Sequence, residues 1–342
     1  MKAIRFHKHG GYEVLQYEDI SEPSISESQV LVQVKACALN HLDLWVREGM
    51  PGVKTPLPLI PGCEMSGIIL NVGSDVKNYH PGDEVILSPG TSCGICEHCL
   101  RGWDNLCRYY GIIGETQDGC YCEKIAVSPI NLLPKPSNLS FEEAASIPLA
   151  YLTSWHMLVT QGQISPGQLV LIHAAGSGIG STAIQIAKLF NATVLATAST
   201  QDKLEKAKEL GADYGINYKE EDFLSRVKEI TKKRGVDIVF EHTGEKTFEG
   251  SYKSLCKGGR LITCGATSGW NAKIDLRYLF SKHLKIIGTT MGSKGELVEI
   301  MKHIQGKTLR PIVDKTFPLQ EAAEAQVYLA ERKNFGKVLV IP

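Results

Sequence analysis

The sequence predicts an α/β protein that combines a β-rich N-terminal domain with a doubly wound parallel sheet. Its 342 residues exceed the size at which a single hydrophobic core usually stops growing, so two domains are expected. Short β-rich runs separated by Pro and Gly turns occupy the chain up to residue 150. Beyond that point strand and helix patterns alternate, which is typical of a parallel sheet.

The N-terminal strands are predicted from the runs QVLVQVKACAL, SGIILNVG and DEVILS, and the turns from PLIPGCE, YHPGDE and LSPGT. Strands punctuated in this way favour a partly barrel-like or sandwiched β domain. The closing segment NFGKVLVIP ends in an apolar strand that should rejoin this domain. We therefore assign residues 1–150 and 291–342 to the β-rich domain.

The second half of the chain predicts the parallel sheet. Strands are expected in LVLIHAA, TVLATAS, GINY, VDIVFEHT, RLITCGA and LKIIGTT. The helices between them are expected in STAIQIAKLF, DKLEKAKELG, EDFLSRVKEITKKRG and TFEGSYKSLCKGG. Because parallel neighbours need right-handed crossovers, this order predicts a doubly wound domain over residues 151–290,.

Composition excludes several classes of protein. Lys+Arg and Asp+Glu both total 37, so net charge gives no reason to expect nucleic acid or an anionic membrane as partner. The start MKAIRFHKHGGYEVL is too polar for a signal peptide. The most apolar stretch, ASIPLAYLTSWHMLV, is short and contains Pro and His, so it is a poor membrane span. We expect a soluble, cytoplasmic protein that acts on a small molecule.

A Gly-rich turn follows the first strand of the second domain. The stretch AAGSGIGS lies between strand and helix patterns and approximates G-x-G-x-x-G, with Gly180 as its last glycine. Backbone N–H groups at such a helix start bind pyrophosphate. The turn therefore predicts a dinucleotide site that includes Ser177, Gly178, Ile179 and Gly180.

The next strand end indicates which dinucleotide is bound. An NAD site places Asp or Glu there, but the stretch reads ATASTQDK. Its acid, Asp202, falls at the start of a helix, where capping explains it. A 2′-phosphate is thus tolerated, and Ser199, Lys203 and Tyr218 could hold it, although Lys203 could equally be a solvated helix lysine. We expect NADP(H) rather than NAD(H).

Four of the ten cysteines are clustered in CGICEHCLRGWDNLC, residues 93–107. Clustered thiolates usually bind metal. A chain of this length can bury a core without disulfides, so the other six cysteines are interpreted as small buried hydrophobic residues. His98 lies inside the cluster as a spare ligand, but four thiolates suffice.

Together these features resemble the medium-chain dehydrogenase/reductase superfamily over essentially the whole chain. The resemblance rests on GYEVLQ, PGCEMSGII, HPGDEV, the four-cysteine lobe, IPLAYLTSW, AAGSGIGSTAIQIAK and FGKVLVIP. It implies a GroES-like N-terminal domain, a Rossmann domain, and hydride transfer between a nicotinamide and a substrate.

The alcohol-dehydrogenase branch of that superfamily carries two zinc ions. Its structural zinc is bound by four cysteines at this spacing, so the resemblance assigns one structural zinc per subunit to the lobe at about residues 90–110. A zinc with four thiolate ligands has no open position for water or substrate. The implied ligands are Cys93, Cys96, Cys99 and Cys107.

The catalytic zinc of that branch needs a cysteine, a histidine and a second cysteine. The matching positions here hold Asn40, Cys63 and Leu149, and one soft ligand cannot make a three-ligand site. An irregular site that joins Cys63 to Cys37 or His41 stays open as an alternative. The expectation is chemistry without a catalytic zinc.

Without that zinc, the resemblance favours reduction of an activated double bond or carbonyl, as in an enone, quinone or enoyl substrate. Asn40 could donate a hydrogen bond to the developing enolate or orient the nicotinamide, or it could be a buried turn residue. Tyr151 is a candidate proton donor, although a buried tyrosine beside Pro148 could equally be core.

Further cofactor contacts are also implied. Relatives have a basic residue on the pyrophosphate where this chain has His41, and Thr153 is expected on the nicotinamide side. The quinone-reductase branch holds a 2′-phosphate with a lysine and a tyrosine spaced like Lys203 and Tyr218. Thr243 and Gly244 should border the cofactor, because ligands bind at the carboxyl ends of parallel strands.

Two alternative functions remain. One is an alcohol or aldehyde dehydrogenase with an irregular metal site, and the other is a catalytically silent NADP(H)-binding sensor. Relatives dimerise by pairing the strand that here reads LKIIGTT, so a homodimer or homotetramer is expected.

Overall fold

The computed structural model describes residues 1–342, which form two compact units. The first unit comprises Met1–Leu149 and Ser293–Pro342, and the second comprises Ala150–Gly292. Each unit has its own sheet and its own hydrophobic core. None of the helices is both long and apolar enough to cross a lipid bilayer.

The first unit consists mainly of short strands. Its strands are β1 (Lys2–Arg5), β2 (Gln16–Asp19), β3 (Val30–Ala38), β4 (Met65–Val72), β5 (Glu84–Leu87), β6 (Gly90–Thr91), β7 (Gly111–Ile112), β8 (Lys124–Val127), β9 (Leu132–Pro134), β16 (Val313–Pro318) and β17 (Lys337–Ile341). Its helices are α1 (His41–Glu48), α2 (Glu97–Leu100), α3 (Phe141–Ala145), α10 (Lys294–Gln305) and α11 (Ala322–Ala330).

Strand β3 organises this unit. It pairs antiparallel with β4, β8 and β17 in a seven-stranded sheet whose main path runs β16-β17-β3-β4-β5-β9. The predicted return of the C-terminal strand is confirmed, since Leu339 and Val340 pair with Ala38 and Cys37. The pairing brings β17 beside the end of β3, immediately before helix α1 begins.

The second unit alternates strand and helix. Its strands are β10 (Leu169–Ile172), β11 (Thr193–Ala198), β12 (Tyr214–Asn217), β13 (Val236–Glu241), β14 (Leu255–Thr263) and β15 (Lys285–Gly288). Its helices are α4 (which begins at Pro148 and ends at Trp155), α5 (Gly178–Leu189), α6 (Gln201–Glu209), α7 (Phe223–Ile230), α8 (Glu245–Lys253) and α9 (Leu276–Ser281). A π-helical turn over His156–Gln161 extends α4.

All pairs in this sheet are parallel, and the strand order is β12-β11-β10-β13-β14-β15. The predicted doubly wound Rossmann sheet is therefore confirmed. The order reverses between β10 and β13, and ligands bind beside the carboxyl ends of strands at such a point. The Gly-rich turn follows β10, and the Thr243–Gly244 loop follows β13.

Two predicted helices are shorter than expected. The pattern TFEGSYKSLCKGG was predicted to be helical to its end, but α8 ends at Lys253 and LCKGG belongs to β14. Leu255 is fully buried and pairs with Val236, so sheet packing outweighs the helical pattern there,. Helix α7 likewise ends before TKKRG, because Lys232 and Lys233 adopt positive φ angles of 49° and 67°,.

Candidate functional site

The four clustered cysteines converge on one point. The Sγ–Sγ distances are 3.5 Å for Cys96–Cys99, 3.5 Å for Cys107–Cys93 and 4.0 Å for Cys93–Cys99. All four sulfurs lie within 4.8 Å of one another. A tetrahedral zinc with bonds of about 2.3 Å has sulfur–sulfur edges of roughly 3.8 Å. The thiols therefore fit a closed, four-thiolate zinc site.

Backbone N–H groups surround these sulfurs. The N–H groups of Cys93 and Tyr109 donate to Sγ of Cys107 at 3.4 and 3.3 Å. Hydrogen bonds from the backbone of Ile95 and Cys96 lower the pKa of Cys93 to about 6. Donors of this kind stabilise thiolates, which are the form that binds metal.

A second polar cluster lies where helix α1 meets β17. The ammonium Nζ of Lys337 lies 2.7 Å from Oε1 of Glu64, 2.6 Å from Oδ1 of Asn40 and 2.8 Å from the carbonyl oxygen of Leu39. An ammonium has three N–H donors, so all of them are used. The cluster therefore contains a fixed positive charge that is paired with a carboxylate.

The Asn40 amide is held by this cluster. Its Nδ2 donates to Glu64 Oε1 at 2.9 Å and approaches the Cys63 sulfur at 3.4 Å. The backbone N–H of Leu149 donates to the other oxygen of Glu64 at 2.6 Å. Asn40, Cys63 and Leu149, the three positions expected for zinc ligands, thus lie close together. They are joined by a set of hydrogen bonds centred on Glu64 and Lys337.

Burial also raises the pKa values of two neighbouring groups, Asp43 and Cys63. Desolvation raises the pKa of Asp43 to about 7, although it accepts hydrogen bonds from the Asn40 backbone and the Tyr121 hydroxyl. Burial raises the pKa of the Cys63 thiol well above its usual value, and the charges of Asp43 and Glu64 raise it further. Burial and these charges therefore favour the neutral form of the Cys63 thiol,.

The alternative ligands do not complete a site around Cys63. Cys37 is fully buried and its thiol hydrogen-bonds with Cys120. The His41 ring packs 6.5 Å from the ring of Trp45, as measured between centroids. Only the four-cysteine lobe brings three or more His, Cys, Asp or Glu ligands together.

Tyr110 is a candidate that the sequence analysis missed. Its hydroxyl is buried and has no hydrogen-bond partner. Burial raises the pKa of this hydroxyl, and the charge of Asp104 raises it further. It packs against Gly90, where an added Cβ would lie 2.3 Å from the Tyr110 oxygen. Nothing in the local pattern RYYG distinguishes this tyrosine from a packing residue.

The Gly-rich turn in the second unit has the expected local geometry. Ser177 caps helix α5, and its Oγ accepts the backbone N–H of Gly180 at 2.9 Å. A Cβ on Gly180 would lie 2.3 Å from the carbonyl oxygen of Ala174, so only glycine allows this close approach,. The first N–H groups of α5, at Gly178 and Ile179, have no intrahelical acceptor and suit a phosphate.

The residues expected around a 2′-phosphate lie at two adjacent strand ends. Ala198 pairs with Asn217, and the N–H of Tyr218 donates to the carbonyl of Ala198 at 3.2 Å. Ser199 and Tyr218 thus directly follow neighbouring strands, and Lys203 lies in the first turn of α6.

Asp202 is the acidic residue that follows the end of β11 most closely in the sequence. It does not take the place of the carboxylate that NAD sites have at this strand end. Asp202 forms an ion pair with Lys206, with 2.9 Å between Oδ2 and Nζ, one turn along α6. Residues 198–200 at the end of β11 read Ala-Ser-Thr. This strand end therefore presents no acidic side chain to repel a phosphate.

The remaining candidates of the second unit are mostly buried. Tyr151 has no exposed surface, and its hydroxyl accepts a hydrogen bond from Gln185 Nε2 at 3.1 Å, which favours the core interpretation over proton donation. Thr153 is buried with Oγ1 4.0 Å from the Met291 sulfur. Thr243 and Gly244 follow β13, and Gly244 has a φ of 89°.

Comparison with known proteins finds family models that match parts of both units. The family model described as "Alcohol dehydrogenase GroES-like domain" matches residues 26–137, and the one described as "Zinc-binding dehydrogenase" matches residues 178–306. A zinc-type alcohol dehydrogenase-like protein of Schizosaccharomyces pombe is 33% identical, with 99% of each chain covered.

Two further relatives cover the chain from end to end. A crystal structure of an NAD-dependent alcohol dehydrogenase has 46% identity and a TM-score of 0.96 over 100% of both chains. The quinone oxidoreductase of Sus scrofa is 28% identical over 100% of this chain and 98% of its own. With the Rossmann sheet and the four-cysteine lobe, these matches identify the chain as an NAD(P)-dependent oxidoreductase of the medium-chain dehydrogenase/reductase superfamily.

Proposed function

We propose that this enzyme uses NADPH to reduce an activated double bond or carbonyl, as in an enone, quinone or enoyl substrate, without a catalytic zinc. The observation that carries this proposal is the ion pair between Lys337 and Glu64, which is hydrogen-bonded to Asn40. The family's zinc-ligand positions surround this pair. The ammonium of Lys337 disfavours a divalent cation there through charge repulsion, and Cys63 is the one soft ligand among the three positions.

The absence of a zinc-ligand set bears on the reaction. Alcohol oxidation needs an alkoxide to be stabilised, which a Lewis acid normally does. In reduction of an enone or quinone, the negative charge develops on an oxygen that hydrogen-bond donors can stabilise. A bound nicotinamide supplies the hydride, and the protein supplies the donors and the position of the substrate.

We propose Tyr110 as one such donor. Its hydroxyl is buried without a hydrogen-bond partner and lies within electrostatic range of Cys63, one of the three positions expected for zinc ligands. Both Asn40 amide atoms are engaged by Lys337, Glu64 and Cys63. Asn40 therefore remains a candidate chiefly for holding this cluster in place.

The preference for NADPH is proposed from Ser199, Lys203 and Tyr218, which follow the ends of β11 and β12. Lysine and tyrosine donors suit a phosphate dianion, and no carboxylate stands at the end of β11. The solved relative with 46% identity is named an NAD-dependent enzyme, so the preference requires a direct comparison of NADPH with NADH. His41, Thr153, Ser177 and Thr243 are proposed as further cofactor contacts.

The decisive experiment combines metal content with activity. Zinc per subunit is measured by elemental analysis of desalted protein, and enones, quinones and enoyl thioesters are tested with NADPH. About one zinc per subunit together with reduction of one of these classes supports the proposal. Two zinc ions with oxidation of an alcohol would favour the dehydrogenase alternative. Tight NADPH binding without any turnover would favour the sensor alternative.

We also propose a homodimer formed through β15. This strand is the last in the sheet order, so one edge of it is unpaired within the chain. Unpaired edges are templates for pairing with a second chain. Light scattering on the purified protein distinguishes a dimer from a tetramer, and a monomer would contradict the proposal.

A further inference from the structure

Between the Gly-rich turn and the Thr243–Gly244 loop, the second unit contains a buried hydrogen-bonded network of polar side chains. It consists of Thr197, His173, Ser251 and Glu241, none of which is more than 2% exposed. Buried polar groups must be hydrogen-bonded to be tolerated. These four residues satisfy one another from strand β11, the residue directly after β10, helix α8 and strand β13.

The hydrogen bonds of this network have a defined donor and acceptor at each step. Ser251 Oγ lies 2.6 Å from Glu241 Oε2, and an ionised carboxylate only accepts, so Ser251 donates,. Ser251 must then accept from Nε2 of His173, at 2.9 Å. The histidine is therefore the tautomer protonated at Nε2, and its Nδ1 accepts from the Thr197 hydroxyl at 3.2 Å. Burial lowers the pKa of His173, in keeping with a neutral ring.

At one end of this network, Thr197 contacts the Gly-rich turn. Thr197 Oγ1 accepts the backbone N–H of Ala174 at 3.2 Å. Ala174 adopts a left-handed conformation at the start of the turn, with a φ of 47°. Such a conformation is unfavourable for alanine, so an acceptor at this N–H helps to maintain the turn.

The other end holds the loop after β13. Glu241 Oε1 accepts the backbone N–H groups of Thr243 at 2.7 Å and Gly244 at 3.0 Å. The Thr247 hydroxyl donates to both carboxylate oxygens at 3.0 and 2.9 Å. A single buried carboxylate thus sets the course of the loop that begins helix α8.

We propose that Glu241 and Ser251 are positioning residues that hold the turn at Ala174 and the loop at Thr243–Gly244 in register for dinucleotide binding. The inference rests on the proposal that these two segments bind the cofactor. Loss of one link would let the two segments move independently. Cofactor affinity would then fall even though neither Glu241 nor Ser251 touches the cofactor.

The test compares Ser251→Ala and Glu241→Gln with Ser254→Ala. Ser254 is also a buried serine next to α8, but its hydroxyl donates to the Gly250 carbonyl at 2.7 Å and takes no part in the hydrogen-bonded network. Binding of NADPH and of adenosine 2′,5′-bisphosphate is measured by calorimetry, and thermal midpoints are recorded for each variant. The bisphosphate occupies the ends of β11 and β12 and, through its 5′-phosphate, the start of α5. It does not reach the Thr243–Gly244 loop, so its binding does not depend on the register between the two segments.

We expect Ser251→Ala and Glu241→Gln each to weaken NADPH binding about tenfold, as for the loss of one buried hydrogen bond. Binding of the bisphosphate should change less than about twofold, and Ser254→Ala should bind both ligands like the wild type. Equal weakening of both ligands would indicate general loosening of the unit and overturn the inference. Wild-type affinity for NADPH in folded Ser251→Ala protein would also overturn it. If the wild type itself does not bind NADPH or NADH, the proposed function fails instead.

Discussion

The Nζ of Lys337 lies 2.7 Å from Oε1 of Glu64, and their side chains are only 5% and 0% exposed. A buried pair of this kind gains little over an apolar pair, but removing one partner leaves an uncompensated charge. In this enzyme it also surrounds Asn40 with fixed donors and acceptors. The pair therefore links the stability of the first unit to the chemistry proposed for it.

Lys337→Met should destabilise the first unit by about 3–5 kcal/mol, because Glu64 would lose its buried counter-charge. The matched control is Lys333→Met, which removes an exposed lysine paired with Glu331 at 2.6 Å. An exposed pair contributes about 0–1 kcal/mol. Urea unfolding followed by circular dichroism measures both variants. Similar losses in the two variants would contradict the role assigned to the buried pair.

Asp43 should make the first unit less stable as pH rises from about 4 to 7. Burial raises the pKa of Asp43 to about 7 in the folded protein, whereas it is about 3.9 in an unfolded chain. Between these values the folded state binds more protons, so the free energy of unfolding falls with increasing pH. Asp43→Asn should remove this contribution. Thermal midpoints of both proteins from pH 5 to 8 test it, and a constant difference between them would refute it.

Cys96→Ser should reduce the zinc content from about one per subunit towards zero, because three thiolates bind zinc less tightly than four. Cys63→Ser should leave it unchanged, since Cys63 is proposed to hold no metal. Elemental analysis of the desalted variants measures both. A loss of zinc in Cys63→Ser would instead reveal a second metal site and favour the alcohol dehydrogenase alternative.

Lys203→Ala should lower kcat/KM for NADPH roughly 10- to 100-fold, the effect of losing one charge-assisted hydrogen bond. Activity with NADH should change little, because NADH has no 2′-phosphate. Lys206→Ala is the control, since this lysine lies one turn away and pairs with Asp202. Steady-state kinetics with both cofactors provide the test. An equal effect on NADPH and NADH would argue against a phosphate contact.

Tyr110→Phe should lower kcat/KM for the carbonyl or enone substrate by about tenfold if the hydroxyl stabilises developing negative charge. Its thermal midpoint should stay the same or rise, because a buried hydroxyl without a partner contributes no hydrogen bond to the fold. Tyr109→Phe serves as the control, since Tyr109 is 63% exposed. Unchanged kinetics in Tyr110→Phe would exclude the proposed donor.

Local patterns were sufficient to predict most of the architecture. Alternating strand and helix periodicity determines the parallel sheet, since each helical crossover returns the chain to the same end of the sheet and the next strand then runs in the same direction. Four cysteines within fifteen residues, CGICEHCLRGWDNLC, likewise converge because short connections leave them little freedom,. Helix ends were less predictable, and LCKGG joined β14 because Leu255 gains more from burial in the sheet than from the helix.

The sequence by itself thus determined the two domain types, the Gly-rich turn and the four-cysteine lobe, each of which is encoded within a few tens of residues. Only the tertiary structure decided what lies around Asn40, because Lys337 is 297 positions away along the chain. The same holds for the link from Glu241 to Thr197 and for the missing partner of the Tyr110 hydroxyl. Hydrogen bonding of buried polar groups depends on which distant segments pack together, and periodicity and spacing carry no information about that packing.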